Sequence, residues 1–128
     1  MRVYFGIKYH ADFANRLLIE KILTLLEQAG AETFCVVRDL EHWGETSLSP
    51  QVLMTQTFDM IQKADLVVIE LSEKGVGLGI EAGYAYALKK PIVVIARVGS
   101  DISTTLKGIA SNTHFYKNVS DLLIAFDF

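Results

Sequence analysis

Hydrophobic positions in this chain follow two rhythms. Continuous apolar runs of strand length recur at 2–7 (RVYFGI), 32–38 (ETFCVVR), 65–71 (DLVVIEL) and 91–97 (PIVVIAR). Runs without polar alternation are the mark of strands covered on both faces, and therefore of a parallel sheet. Between them the apolar spacing changes to a helical period. Phe13, Leu17, Leu18, Ile22, Leu25, Leu26 and Ala29 fall on one stripe, with Asp12 placed to cap its start and Gly30 to stop its end. Ser49-Pro50 reads as an N-cap followed by proline at the first helical position, opening a helix to about Lys63. A helix after the glycine-rich stretch runs through Lys90, and Pro91 opens the fourth strand. The tail repeats the unit more weakly, with a helix near 103–110, a short strand at 114–116 and a closing helix from Ser120 to Phe128. Five β-α units predict an α/β three-layer sandwich with a five-stranded parallel sheet, doubly wound and flavodoxin-like or Rossmann-like.

At 128 residues, 51% of them hydrophobic, the chain has the size of a single domain over 1–128, with no room for a separate substrate domain. A net charge of -3 provides no diffuse basic surface, so neither nucleic acid nor an anionic membrane is an expected partner. Cys35 is the sole cysteine, and it sits in an apolar run as a small buried hydrophobe, which suits a reducing cytoplasm. With no signal-peptide core and no apolar run near the roughly 20 residues of a membrane span, a soluble cytoplasmic protein is expected. His10, His42 and His114 show no metal-ligand spacing, so no metal and no cofactor is expected.

Parallel sheets bind ligands at the carboxyl ends of their strands, which selects the loops at 6–10, 38–44, 72–79 and 98–103. The third, running into GVGLGIEAGYA at 75–85, is the most informative. Gly77 and Gly79 would let a ligand touch backbone and open conformations closed to other residues, while Gly79, Ala82 and Gly83 would thin the helix against the sheet. Glu81 falls in the first helical turn on this reading, where the helix N-terminus favours an ionised carboxylate suited to nucleophilic attack. The same position fits a plain helix-start acid. Gly77, Gly79 and Ala82 also fit G-x-G-x-x-A with Asp101 downstream for a ribose hydroxyl, a dinucleotide-binding reading. Against it, Glu81 would lie on the pyrophosphate, and the motif follows the third strand rather than the first.

The stretch ADLVVIELSEKGVGLGIEAGYA (64–85), together with VYFGIKYH near the N-terminus, resembles the nucleoside 2-deoxyribosyltransferase superfamily, which includes deoxynucleoside 5'-monophosphate N-glycosidases. The resemblance implies a Rossmann-like domain that cleaves or transfers N-glycosidic bonds of a nucleoside or nucleoside 5'-monophosphate through a glutamate nucleophile, here Glu81. It also implies base contacts from Tyr4 and Phe5 with Gly6 leaving room beside them, and a small-molecule partner. Arg38 and Asp39, at the end of the second strand, could hold a phosphate and a sugar or base edge, or could pair with each other.

Two departures from the family pattern bear on substrate choice. The family's acid for the sugar hydroxyl, on the helix before the third strand, falls on Thr57, with Asp59 two residues on. Its aspartate or serine six residues before the nucleophile falls on Gly75, leaving Ser72, Glu73 or a neighbouring subunit to compensate. Family members assemble as oligomers with shared sites, so a homo-oligomer is expected. The alternatives are a non-catalytic nucleotide-binding or sensory module and the dinucleotide-binding domain.

Overall fold

The computed structural model describes residues 1–10, 12 and 14–128; Ala11 and Phe13, the latter assigned above to the helical stripe, lie outside the described residues. Strands β1 (Arg2–Gly6), β2 (Glu32–Phe34), β3 (Leu66–Glu70), β4 (Ile92–Arg97) and β5 (Asn112–Tyr116) form a sheet in the order β2-β1-β3-β4-β5. Every pairing is parallel. The expected fold is present, and the order places the switch point between β1 and β3, where Tyr4 pairs with Val67 and Gly6 with Ile69.

Alternation along each strand divides the core in two. Val3 and Phe5 of β1 join Ile19, Ile22, Leu23 and Leu26 of α1 (Arg16–Gln28), together with Tyr116 and Leu122. Tyr4 belongs to the opposite layer with Ile61, Ile69, Leu78, Ala82, Ala85 and Leu106. That layer is built on three helices, α3 (Pro50–Lys63), α4 (Val76–Ala87) and α5 (Thr104–Ile109).

Several element boundaries differ from expectation. Helix α1 starts at Arg16, and Asp12 instead accepts the amide of Ala14 at 3.0 Å in the preceding turn. Its end is as expected: Gly30 takes φ +106°, where a Cβ would stand 3.2 Å from the carbonyl oxygen of Phe128. The run 32–38 yields only a three-residue edge strand. The chain then coils into α2 (Val36–Asp39), because the Asp39 carboxylate accepts the Cys35 amide at 2.9 Å and holds a helical turn. Ser49 caps α3 as anticipated, accepting from Val52 at 3.3 Å, with Pro50 in the first turn. The closing segment is a 3₁₀ helix, Val119–Ile124, with a capping box between Asn118 and Asp121, rather than an α-helix to Phe128. Among the described residues no helix is long and apolar enough to cross a membrane.

Candidate active site

Glu81 stands where the carboxyl end of β1 meets α4. That helix turns Leu78, Ala82 and Ala85 into the core, and Glu81 borders this buried face while remaining partly accessible. Tyr4, fully buried at 0% exposure, donates its hydroxyl hydrogen to Oε1 of Glu81. The pairing depends on Gly6. A Cβ there would lie 3.1 Å from Ile69 Cδ1, 3.3 Å from Glu81 Oε1 and 3.4 Å from Leu78 Cδ2, so any larger residue would press on the carboxylate. The Gly6 position therefore shapes the seat of the acid; the space beside it is taken by Ile69, Glu81 and Leu78, and Tyr4 and Phe5 face opposite layers.

The glycine segment is built differently from the sequence reading. Helix α4 begins at Val76 with Gly75 at the N-cap, so Gly77 and Gly79 are helical residues and neither has positive φ. Their value is the missing side chain. A Cβ on Gly77 would stand 3.7 Å from Glu81 Oε2, and one on Gly75 would stand 4.0 Å from Lys8 Cδ. Gly79 and Gly83 face open space and are exposed, so only Ala82 of that trio packs toward the sheet.

The early helix start moves Glu81 into the second turn, beyond strong reach of the helix dipole. Burial then dominates and raises its pKa from 4.5 to about 7, with the Tyr4 hydrogen bond working the other way. The expectation of a carboxylate held fully ionised by the helix is thereby corrected. Tyr4 itself is raised well above the usual phenol range, by burial first and by the Glu81 charge second, and it stays a donor.

On the α1 side of the same sheet end, a cleft of about 460 Å³ is lined by Ile7, Lys8, His10, Ser72, Glu73 and Arg97 among others. His10 meets Glu73 across it at 2.6 Å. Its floor carries Glu70, which is 2% exposed and accepts the Ser72 amide at 2.5 Å, the Ser72 hydroxyl at 3.0 Å and the Tyr116 hydroxyl at 2.5 Å.

The remaining candidates divide. Phe5, one residue past Tyr4, points to the opposite layer and lies in the core. Arg38 forks onto Asp39 at 2.7 and 2.9 Å and also binds Glu27 and Thr33, so these two residues adopt the mutual pairing. Asp59 is exposed on α3 and pairs with Lys63 at 2.8 Å, while Thr57 is buried with its hydroxyl on the Leu53 carbonyl. Asp101, the ribose ligand of the dinucleotide reading, is held by Lys74 at 2.9 Å. Sequence reasoning missed Glu70, whose signal was a charge inside the otherwise apolar run DLVVIEL. It also missed Glu41, a partly buried carboxyl whose pKa is raised by burial and whose charge reaches Tyr4; its polar loop gives no such signal. Among the described residues, no group of three His, Cys, Asp or Glu side chains is placed to hold a metal ion.

Residues 3–118 match the family model described as nucleoside 2-deoxyribosyltransferase. The chain is similar to the 5-hydroxymethyl-dUMP N-hydrolase of Rattus norvegicus, 31% identical over 118 residues that cover 88% of this chain and 72% of the relative. In fold it is similar to a 2-deoxyribosyltransferase from Bacillus psychrosaccharolyticus (TM-score 0.76, 14% identity, covering 100% of this chain and 93% of the other). A similar likeness holds to the Clostridium botulinum CMP N-glycosidase BcmB (TM-score 0.71, 20% identity, covering 98% and 96%). A glycine-flanked glutamate beside the β1–β3 switch point and a match over nearly the whole chain agree: this protein belongs to the nucleoside 2-deoxyribosyltransferase family, enzymes that cleave or transfer the N-glycosidic bond of nucleosides and nucleotides.

Proposed function

We propose that this chain acts as one domain over 1–128 that breaks the N-glycosidic bond of a (deoxy)nucleoside or its 5'-monophosphate through a covalent glycosyl-Glu81 intermediate. The observation that carries the reading is the seat of Glu81: Oε1 is fixed by Tyr4, while Oε2 lies toward Gly77 and accepts no hydrogen bond from the described residues. Oε2 attacks the anomeric carbon as the carbon–nitrogen bond breaks, the bonding pair leaves with the base, and the base takes up a proton. Water, or the nitrogen of a second base, then attacks the same carbon and releases the carboxylate. The likeness to a 5-hydroxymethyl-dUMP N-hydrolase favours water as the acceptor. Gly75, Gly77 and Lys8 offer backbone and charge at the mouth of the site for a 5' substituent.

The working form is a homo-oligomer. Helix α4 is apolar on its outer side as well as its inner one, with Val76 83% and Ile80 47% exposed beside Gly79 and Gly83. A helix apolar all round is ordinarily covered.

The test is chromatographic. Ribo- and deoxyribonucleosides and their 5'-monophosphates, 5-hydroxymethyl-dUMP and CMP included, are incubated with the protein and with Glu81→Gln, with and without a second free base. Base release lost in the variant supports the reading, and a new nucleoside formed only with added base makes the protein a transferase. Intact substrates with folded protein would favour a nucleotide-binding module.

A further inference from the structure

Glu70 is the buried carboxylate that this chemistry does not use. It ends β3, and within a few residues the chain must leave the sheet and enter α4. Leu71 extends the ladder by donating to Ile95 at 2.8 Å, and Ser72 is then fixed from two sides. Its amide and hydroxyl donate to Glu70, and its hydroxyl oxygen accepts the Arg97 amide at 2.9 Å. Tyr116 brings β5 onto the same carboxylate, so the Glu70 side chain joins the ends of β3 and β5 to the start of the β3–α4 turn, with β4 tied in through the Ser72 hydroxyl. Beyond Ser72, among the described residues, the side chains of the turn are held by exposed contacts, Glu73 to His10 and Lys74 to Asp101. Exposed pairs of this kind contribute little.

We propose that Glu70 is a positioning residue for substrate binding: with Tyr116 and Ser72 it clamps the β3–α4 turn so that Gly75 and Gly77 form a fixed wall opposite Gly6 and Lys8. Glu81 is anchored separately, because Leu78, Ala82 and Ala85 hold α4 in the core. Loosening the clamp therefore moves the wall and leaves the nucleophile in place. The kinetic side of the inference rests on the N-glycosidic reading above; the structural side does not.

Tyr116→Phe removes a single hydroxyl from a buried ring, and Glu70→Gln leaves one acceptor oxygen where two served, so with that oxygen on the Ser72 amide the NH2 group faces the Tyr116 hydroxyl and cannot accept from it. Each is expected to raise KM about tenfold, the scale of one lost hydrogen bond to a charged group, with kcat and the pH midpoint of turnover within about twofold of the parent. The double variant should match Glu70→Gln alone, because the two changes break the same link. Amide exchange at residues 72–77 should speed up about tenfold in both variants, with amides after residue 80 unchanged. Folded variants that keep both the parent KM and the parent exchange at 72–77 overturn the proposal, as does a fall in kcat at constant KM. If the parent releases no base from any compound of the panel, the glycosidic reading fails, and the exchange measurement alone still decides the clamp.

Discussion

Glu81 and Glu70 each accept a hydrogen bond from a strand tyrosine, Tyr4 on β1 and Tyr116 on β5, at the same end of the sheet but on opposite faces. Glu70 has two further donors from Ser72 and is closed to solvent. Among the described residues Glu81 has Tyr4 alone as a hydrogen-bond donor, leaving its second oxygen uncommitted, and it stays partly accessible. A buried carboxylate with its lone pairs filled is a structural tie, since moving it would strand several donors. One that is desolvated but under-supplied with donors holds its charge at a cost, and that cost can be relieved by bonding to carbon. The donor balance separates the two roles.

The comparison breaks most sharply at Glu81 itself. Glu81→Gln retains an acceptor for Tyr4 but lacks the carboxylate that the proposed glycosyl-enzyme step requires, so on that proposal base release should fall by about 10³-fold or more in the chromatographic assay. Gly6→Ala comes next. Its methyl group would arrive 3.3 Å from Oε1 and 3.1 Å from Ile69, and on the proposed mechanism a displaced Glu81 carboxylate should lower kcat by roughly 10²-fold while circular dichroism stays native.

Tyr4→Phe makes Glu81 still poorer in donors. Because the hydroxyl lowers the Glu81 pKa, its removal should carry that pKa above about 7, and the rising limb of kcat/KM should move to higher pH. At pH 7 the rate would drop about tenfold and recover in part at pH 9. An unmoved limb would show that the observed ionisation belongs to another group.

The layered fold and the parallel sheet were legible because burial on both strand faces leaves marks in the sequence itself, and the glycine-flanked acid motif pointed to the family that the chain matches. What was lost depended on geometry. VYFG does not say which aromatic meets the acid; strand parity sends Tyr4 toward α4 and Phe5 toward α1. The glycines read as a loop, yet a helix beginning at Val76 takes them in and shifts Glu81 by one turn, which reverses the expected direction of its pKa shift. ETFCVVR has strand propensity throughout, but one carboxylate, Asp39, converts its second half to helix. Arg38 and Asp39 satisfy each other, a choice the sequence left open.

The smallest effect concerns stability, and it isolates the energetic cost of the Glu81 seat from its chemistry. A carboxyl whose pKa rises from 4.5 to about 7 on folding binds its proton more tightly in the native state, so ionisation opposes folding. Below the unfolded value both states are protonated and no penalty exists. The penalty grows as pH rises through the window between the two values and is complete above about 7, where the shift corresponds to on the order of 3 kcal/mol. Glutamine is neutral at every pH and can still accept from Tyr4. Glu81→Gln should therefore melt at the same temperature as the parent near pH 4 and several degrees higher near pH 8, with the gap opening between those values. Calorimetric scans across that range check it. A constant gap, or a less stable variant at pH 8, would mean that the carboxylate is well solvated in the folded protein, and the contrast with Glu70 would then rest on donor count alone.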